Sequence, residues 1–291
     1  MSSFQNLKRG SDFEKLKKQI ETINQPQGDK DDDRFWVPVV DKSGNGMATI
    51  RFLPTPPADG DDGLPWVRLF RHAFQGPGGW LIDECLTTLG GNCPVCENNT
   101  VLWNTGSEAN KEIVRKRKRK LYYIANVYII SDPACPENDG QVKLFKFGKK
   151  IFDKLNEAMN PQFADETPIN PFDLWAGANF KLKMRQVEGY RNYDKSEFEK
   201  AAPLDTDENM EAIWLKEYSL KEFLDPKKFN TYEKIKARQD KILGVTGSPA
   251  NNTAEDSPYP QESQSTPSEK IGDDDDMNYF KSLAAEDDVP F

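Results

Sequence analysis

The sequence has little histidine and cysteine, with one histidine and four cysteines among 291 residues. It has no run of 18 apolar residues, so we expect no membrane span. The N-terminus lacks an apolar signal stretch, so we do not expect export. Hydrophobic residues make up 36% of the chain and charged residues 30%, which indicates a soluble protein with one part too polar to fold by itself.

The net charge of −9 would argue against a DNA-binding protein, but the excess negative charge is confined to one end. Residues 245–291 contain 11 acidic side chains and two lysines, which accounts for the whole excess. Residues 1–244 contain 37 acidic and 37 basic side chains. The part that we expect to fold is therefore neutral as a whole, with its charges segregated along the sequence.

Composition divides the chain into three parts. Residues 1–33 are predicted to form a basic N-terminal arm and linker, with Lys8 and Arg9 in the arm. Residues 34–244 are predicted to form a compact core. Residues 245–291 are rich in serine, proline, asparagine, glutamine and acidic residues, a composition that predicts a disordered acidic tail.

The core is predicted to be mainly β with added helices. Alternating or β-branched runs bounded by turn residues predict strands over residues 35–40, 47–53, 66–70, 80–83, 121–130, 142–147 and 180–187. Helical spacing predicts a helix over residues 149–159 and a helical region over about 206–243. Short strands separated by turns favour a barrel or sandwich over a parallel sheet.

A metal-binding pattern lies in the first half of the core. His72, Cys85, Cys93 and Cys96 follow the spacing His-x12-Cys-x7-Cys-x2-Cys. Three thiolates and one imidazole suit tetrahedral Zn²⁺ and fill every position, so one structural zinc ion is expected. Two alternatives stay open. The cysteines can be scattered core residues, or the zinc can be catalytic, although the zinc-deaminase signature is missing. Cys135 is interpreted as a free thiol.

Basic and aromatic residues adjoin at three places in the core. Six consecutive cations lead into an aromatic-rich strand, and we expect them to form a loop that enters a barrel. Cations neutralise phosphates and aromatic faces stack on any base, so the combination predicts sequence-independent binding of single-stranded DNA. The candidate contacts are Arg115, Lys116, Arg117, Lys118, Arg119, Lys120, Tyr123, Phe145, Lys146, Lys183, Arg185, Tyr190 and Tyr193.

Each of these pieces also has a simpler interpretation. A run of charges is often only a solvated loop or a localisation-like patch. Tyr122, Tyr123 and Tyr128 can be core residues, because alternation along a strand buries one face. The prediction depends on three basic–aromatic pairings within one domain. No base-reading helix is evident, so duplex sequence readout is not expected.

Five segments of the core resemble one known family. They are the four candidate metal ligands and residues 118–126, 132–138, 147–153 and 177–194. Over roughly residues 35–200 they resemble the single-stranded DNA-binding proteins of T-even-type bacteriophages. The resemblance implies an OB-fold-like barrel core with a small structural zinc subdomain at about residues 66–105. It also implies roles in DNA replication, recombination and repair, in the cytoplasm of the infected bacterial host.

The resemblance further implies roles for particular residues. Arg51 matches a cleft arginine, and residues 118–120 match an internal basic motif. Lys8 and Arg9 correspond to an arm that drives head-to-tail self-association on DNA. Aromatic cleft positions of the family correspond to Trp103, Tyr123, Phe145, Tyr190 and Tyr193.

The acidic tail has two candidate functions beside that of a solubilising tail. It can compete with DNA phosphates for the cationic groove. Its tip also resembles the tail tip of bacterial single-strand-binding proteins, which docks replication and recombination proteins. The tip residues are Asp287, Asp288, Val289, Pro290 and Phe291.

The most consistent interpretation is a DNA-coating protein that is not an enzyme. A zinc-ribbon nuclease or primase-like enzyme is the main alternative, and it would need a carboxylate cluster for magnesium. An adaptor that binds only proteins is the second alternative.

Overall fold

The computed structural model describes residues 32–163, 165–187 and 190–245, and the chain divides into two units, Met1–Trp36 and Val37–Phe291. In the described part of the first unit, Phe35–Trp36 forms a short strand, β1. Arg34 of this unit pairs with Asp32, with 2.7 Å between Nη2 and Oδ2. The predicted arm and most of the predicted tail lie outside the described residues.

The second unit is built on antiparallel strand pairs. In chain order its strands are β2 (Gly46–Phe52), β3 (Val67–Gly76), β4 (Gly79–Glu84), β5 (Lys120–Ser131), β6 (Val142–Phe147), β7 (Phe180–Val187), β8 (Tyr190–Asn192) and β9 (Glu197–Phe198). Strands β6, β5, β2, β7 and β8 are neighbours in that order. β3 pairs with β5 and β4, and β9 pairs with β7.

The long strand β5 connects the two parts of the sheet. Along one edge it pairs first with β3 and then with β2, and along the other edge it pairs with β6. Tyr123 lies opposite Arg68 on β3 and opposite Phe147 on β6. Directly paired residues project from the same face of a sheet, so these three side chains share one face.

Five α-helices occur in the described residues. They are α1 (Pro94–Asn104), α2 (Glu108–Arg117), α3 (Lys149–Met159), α4 (Asp207–Trp214) and α5 (Tyr232–Leu243). The side chains of Thr206 and Thr231 accept hydrogen bonds from the first turns of α4 and α5. α5 ends at Gly244, whose φ of 71° is left-handed and costs a glycine little. None of these helices is long and apolar enough to cross a membrane.

Two buried clusters position the candidate sites. In the sheet, the Phe52 ring contacts Phe147, Phe172 and Phe180, with centroids 5.6–5.8 Å apart. A second cluster surrounds the predicted metal ligands and includes side chains from β3, β4, α1 and α5. Its buried members are Phe74, Leu81, Cys85, Cys93, Val95, Ile235 and Ile242. The three cysteines of the predicted metal site are therefore packed in a hydrophobic core to which α5 also contributes.

The prediction of a mainly β core with added helices is confirmed. The strands predicted over residues 142–147 and 180–187 and the helix predicted over 149–159 have the predicted bounds. The strand predicted over residues 35–40 is wrong beyond Trp36, because Pro38 has no N–H to donate to a strand partner. The region 206–243 contains α4 and α5, joined by residues 215–231.

The predicted cationic loop is also a wrong prediction. Arg115, Lys116 and Arg117 form the last turn of α2, and only Lys118 and Arg119 connect that helix to β5. Glu108 and Glu112 pair with cations one turn later, and basic side chains at a helix C-terminus interact favourably with the helix dipole. The helical state of this segment is therefore stabilised locally.

Candidate metal centre and nucleic-acid interface

The four predicted metal ligands come together from separate elements. His72 lies on β3, and Cys85 directly follows β4. Cys93 is the residue that precedes α1, and Cys96 lies in the first turn of that helix. Pro94 favours this geometry, because its fixed φ suits the first helical position. All four ligand atoms lie within 4.8 Å of one another.

Three of the six distances between ligand atoms are close to those expected around a tetrahedral ion. The Cys85 and Cys96 sulfurs are 3.5 Å apart, and His72 Nε2 lies 3.6 Å from Cys93 Sγ and 3.4 Å from Cys96 Sγ. An ion bound at about 2.3 Å to sulfur and about 2.0 Å to nitrogen needs ligand atoms roughly 3.5–3.8 Å apart. His72, Cys85 and Cys93 are buried and Cys96 is half-buried. This group could hold a metal ion.

Hydrogen bonds orient two of the ligands. His72 Nδ1 lies 3.0 Å from the Arg117 carbonyl oxygen, and an N–H donated there leaves Nε2 free for an ion. Asn99 Nδ2 donates to the same carbonyl at 3.2 Å. The Thr87 hydroxyl lies 3.1 Å from Cys85 Sγ. The candidate metal centre is thus connected to the end of α2 and to the turn that follows β4.

The pKa values within this group reflect the close packing of one imidazole and three thiols. Burial lowers the pKa of His72, but hydrogen bonds and charges from Cys85 and Cys93 outweigh it and raise the pKa to about 9. Hydrogen bonds from Cys85 and Cys96 lower the pKa of Cys93, whereas hydrogen bonds from Cys85 and Cys93 raise that of Cys96. Neighbouring thiolates repel one another unless a cation neutralises them.

The arginines of the cationic segment, residues 115–120, lie over aromatic rings. Arg115 lies 5.9 Å from the ring centroid of Trp103 on α1, which also has Lys111 at 5.7 Å. Arg117 lies 5.5 Å from the Phe74 ring and Arg119 lies 4.1 Å from the Phe70 ring. Such contacts hold guanidinium groups close to ring faces. The structure therefore brings together the predicted contacts Arg115 and Trp103.

The sheet contributes two further predicted residues that are mostly covered. Tyr123 is 6% exposed, and burial raises its pKa. Its ring is stacked on Phe152 from α3 and lies 5.8 Å from Phe147. Phe145 is also buried and lies 5.4 Å from Phe147. Tyr123 and Phe145 thus belong to one aromatic cluster, and direct base stacking by either stays a prediction.

Lys146, the next residue of β6, is exposed. Its Nζ lies 3.9 Å from the ring centroid of Tyr122, whose hydroxyl donates to Glu84 at 2.9 Å. The predicted cation Lys146 is therefore accessible, while its aromatic neighbour in sequence is covered.

The predicted basic face of β7 is paired with carboxylates. Lys183 Nζ lies 2.6 Å from Glu197 Oε1, and Arg185 Nη2 lies 2.5 Å from Asp194 Oδ2. The Arg185 pair lowers the pKa of Asp194 to about 2. Tyr190 is 53% exposed, whereas Tyr193 is half-buried. These residues lie on β7, β8 and the turn after them, so β2 separates them from β5.

Arg51 has an internal position. Its side chain is 1% exposed, and burial lowers the pKa of its guanidinium. Its terminal nitrogens donate to Asn179 Oδ1 and to the carbonyl oxygens of Asp173, Leu174 and Ala202 at 2.8–3.3 Å. The contacts of Arg51 stabilise the fold of this region, and a DNA contact at Arg51 stays a prediction.

Several aromatic and basic residues near the cationic segment have no counterpart among the sequence-based predictions. Trp66 contacts Phe152 and Phe172 with centroids 5.6 and 5.1 Å apart, and Arg68 and Phe70 follow it on β3. The signal that could have found them is the occurrence of aromatic or basic residues at every second position from 66 to 70. Lys8, Arg9 and the five tip residues 287–291 lie outside the described residues.

Comparisons with known proteins match most of this chain. A family model described as gp32 DNA binding protein like matches residues 44–243. The single-stranded DNA-binding protein of Enterobacteria phage T4 is 36% identical over 249 residues, which cover 82% of this chain and 80% of that protein. The protein of the same name from Enterobacteria phage T2 is 38% identical over 219 residues, covering 72% and 70%.

The matched residues 44–243 include the four candidate metal ligands, the cationic segment and the aromatic cluster. The family consists of DNA-binding proteins and not of enzymes. The resemblance inferred from the motifs is confirmed, and the chain belongs to the gp32-like family of phage single-stranded DNA-binding proteins.

Proposed function

We propose that this chain binds single-stranded DNA without reading its sequence, at a surface formed by the cationic segment and the rings beside it. The arrangement of Arg115, Arg117 and Arg119 within 6 Å of aromatic rings carries this proposal. Cations bind phosphates of any sequence, and ring and guanidinium faces stack on any base. The names of the T4 and T2 relatives support the same ligand.

The proposed binding domain is an OB-fold with an inserted metal subdomain. The antiparallel neighbours β6, β5, β2 and β7, with α3 between β6 and β7, support this assignment. The metal ligands and the first five residues of the cationic segment lie in the long connection between β2 and β5. In OB-folds the connection between the first two strands contributes to nucleic-acid binding.

The proposed ion is a single structural Zn²⁺. Three cysteines and one histidine are a donor set that zinc prefers, and here their ligand atoms lie within 4.8 Å of one another. Four such ligands would leave no open position for catalysis. In this account Cys85, Cys93, Cys96 and His72 hold the module of β3, β4 and α1 together. The module in turn supports the end of α2.

The proposed biological role is to coat exposed single strands in phage DNA replication, recombination and repair, in the cytoplasm of the infected host. Lys8 and Arg9 would promote head-to-tail self-association on DNA. The tail would compete with DNA for cationic groups and dock replication and recombination proteins through residues 287–291. The 11 acidic residues of the tail support the competition.

The proposal is tested by removing single charges from the surface. Arg115→Ala and Lys120→Ala should each weaken binding to oligo-dT. The slope of log affinity against log salt should become shallower by about 0.7 for each phosphate that the variant no longer neutralises. Lys216→Ala is the matched control, because Lys216 is exposed and outside the proposed surface. Equally weakened binding in all three variants would contradict a localised site. Magnesium-dependent cleavage of the oligonucleotide would support the nuclease alternative.

A further inference from the structure

A single hydroxyl group connects the metal centre to the cationic segment. Thr87 lies in the short turn Leu86–Leu89, two residues after the ligand Cys85. Its Oγ1 lies 3.1 Å from Cys85 Sγ and accepts a hydrogen bond from Arg119 Nη1. A hydroxyl has one proton and two lone pairs, so it can donate to a metal-bound thiolate while it accepts from a guanidinium. Each of these bonds orients the hydroxyl for the other.

The same guanidinium is held against a ring of β3. The Arg119 guanidinium lies 4.1 Å from the Phe70 ring centroid, and that of Arg68 lies 5.5 Å from it. Phe70 is half-buried against the hydrophobic core of the metal centre, while Arg68 is exposed. Two cations therefore flank one partly exposed ring.

The backbone around Phe70 is tied to the same turn. The Phe70 N–H donates to Thr88 Oγ1 at 3.0 Å, and the Cys85 N–H donates to the Phe70 carbonyl oxygen at 2.7 Å. On the other side of the metal centre, the His72 ring contacts the Arg117 carbonyl oxygen. The metal centre thus fixes Arg117 through its backbone and Arg119 through its side chain.

A guanidinium held on an aromatic ring is suited to a nucleotide. Its N–H groups bind phosphate oxygens, and nucleobases stack on guanidinium planes as well as on rings. We propose that Arg68, Phe70 and Arg119 form a nucleotide subsite for single-stranded DNA, and that Thr87 is the positioning residue through which the metal centre holds Arg119 there. This inference rests on the proposed function.

The test compares full-length variants in oligo-dT titrations over a range of salt concentrations, with zinc content measured for each protein. Thr87→Val removes the hydroxyl at nearly constant volume, and Thr87→Ser keeps it. Thr87→Val should weaken binding about three- to tenfold at full zinc content, and Thr87→Ser should bind like the unaltered protein. Thr100→Val is the matched control, because within the described part of the chain the Thr100 hydroxyl donates to the Cys96 carbonyl of its own helix α1.

A double-mutant cycle separates positioning from general stability. In an Arg119→Ala background, Thr87→Val should weaken binding no further, because the guanidinium that Thr87 holds is gone. Arg119→Ala alone should make the salt slope shallower by about 0.7. Phe70→Leu should weaken binding with little change of that slope.

Three results would overturn the inference. If Thr87→Val weakened binding equally in the unaltered protein and in the Arg119→Ala protein, Thr87 would have a role unrelated to Arg119. Loss of zinc in Thr87→Val would show that the ion and not Arg119 depends on the hydroxyl. If Arg119→Ala and Phe70→Leu both bound oligo-dT like the unaltered protein, these residues would not form a nucleotide subsite. If the unaltered protein itself failed to bind oligo-dT, the proposed function would fail instead.

Discussion

The ring of Tyr123 on β5 lies flat against the ring of Phe152 on α3, with centroids 4.0 Å apart and planes 2° apart. Helix α3 thereby covers Tyr123, which was predicted from the sequence to contact DNA. The pair couples the helix to the sheet next to Arg68, which lies opposite Tyr123. The stacked pair should therefore stabilise the fold independently of any ligand.

Phe152→Leu should lower the free energy of unfolding by about 1 kcal/mol, because an aromatic pair contributes roughly that much beyond its buried area. Urea unfolding monitored by circular dichroism measures the change. Phe163→Leu is the matched control, since Phe163 is 67% exposed. If both variants unfold at the same urea concentration as the unaltered protein, the stacked pair does not stabilise the fold.

Glu217 should make the protein less stable as the pH rises. It is 8% exposed, and neither carboxylate oxygen has a hydrogen-bond partner among the residues that the structure describes. Burial together with the charge of Asp59 raises its pKa from 4.5 to about 9. Below the unfolded pKa near 4.5 it is protonated in both states. Between that value and about 9 only the unfolded state loses the proton, so stability falls by up to about 1.4 kcal/mol per pH unit.

Glu217→Gln should remove this pH dependence and raise the melting temperature at pH 8. Melting curves from pH 5 to pH 9 test the expectation, with the exposed Glu211→Gln as control. A Glu217→Gln protein that follows the pH profile of the unaltered protein would disprove the assignment.

Removal of the metal should loosen both the metal module and α5. Structural zinc contributes on the order of 10 kcal/mol, and Ile235 and Ile242 of α5 pack against the cluster that contains two of the ligands. Cys93→Ala or strong chelation should lower the melting temperature and speed amide exchange over residues 66–105 and 232–243. Cys135→Ala should leave both properties unchanged. Unchanged melting after verified loss of zinc would contradict a structural ion.

Truncation after Gly244 should tighten binding of oligo-dT at low salt and have little effect at high salt. The truncation removes 11 acidic residues and two lysines, a net charge of −9. The acidic residues should compete electrostatically with DNA phosphates, and salt should screen this competition. The same truncation should abolish recruitment of replication proteins. A protein with a tail of equal length in which asparagine and glutamine replace the acids is the control. Equal low-salt affinity with and without the tail would exclude competition.

The sequence predicted features that depend on local chemistry. The grouping of His72, Cys85 and Cys93 could be predicted because metal coordination requires particular residue types at short spacing. The bounds of β6 and α3 followed from the periodicity of their side chains. The helical state of Arg115 was missed, because a run of cations carries no apolar periodicity, while the stabilising pairs with Glu108 and Glu112 depend on helical geometry.

Features that depend on distant pairing were not predictable. The alternation of side chains along β5 shows which residues share a face with Tyr123. It does not show that α3 packs on that face and that Phe152 covers the Tyr123 ring. The sequence predicted that Lys183 and Arg185 would bind DNA phosphates. In the structure, strand pairing and the turn after β8 place Glu197 and Asp194 beside these two cations. Burial of Glu217 has no signal in the sequence.

The most direct test is a titration of the full chain with oligo-dT and oligo-dA, followed by tryptophan fluorescence from low to high salt. Both polymers should quench the fluorescence and bind with similar affinity, and log affinity should fall steeply and linearly with log salt. Absence of binding in dilute buffer, or binding of one polymer only, would contradict a cationic and aromatic surface that accepts single-stranded DNA of any sequence.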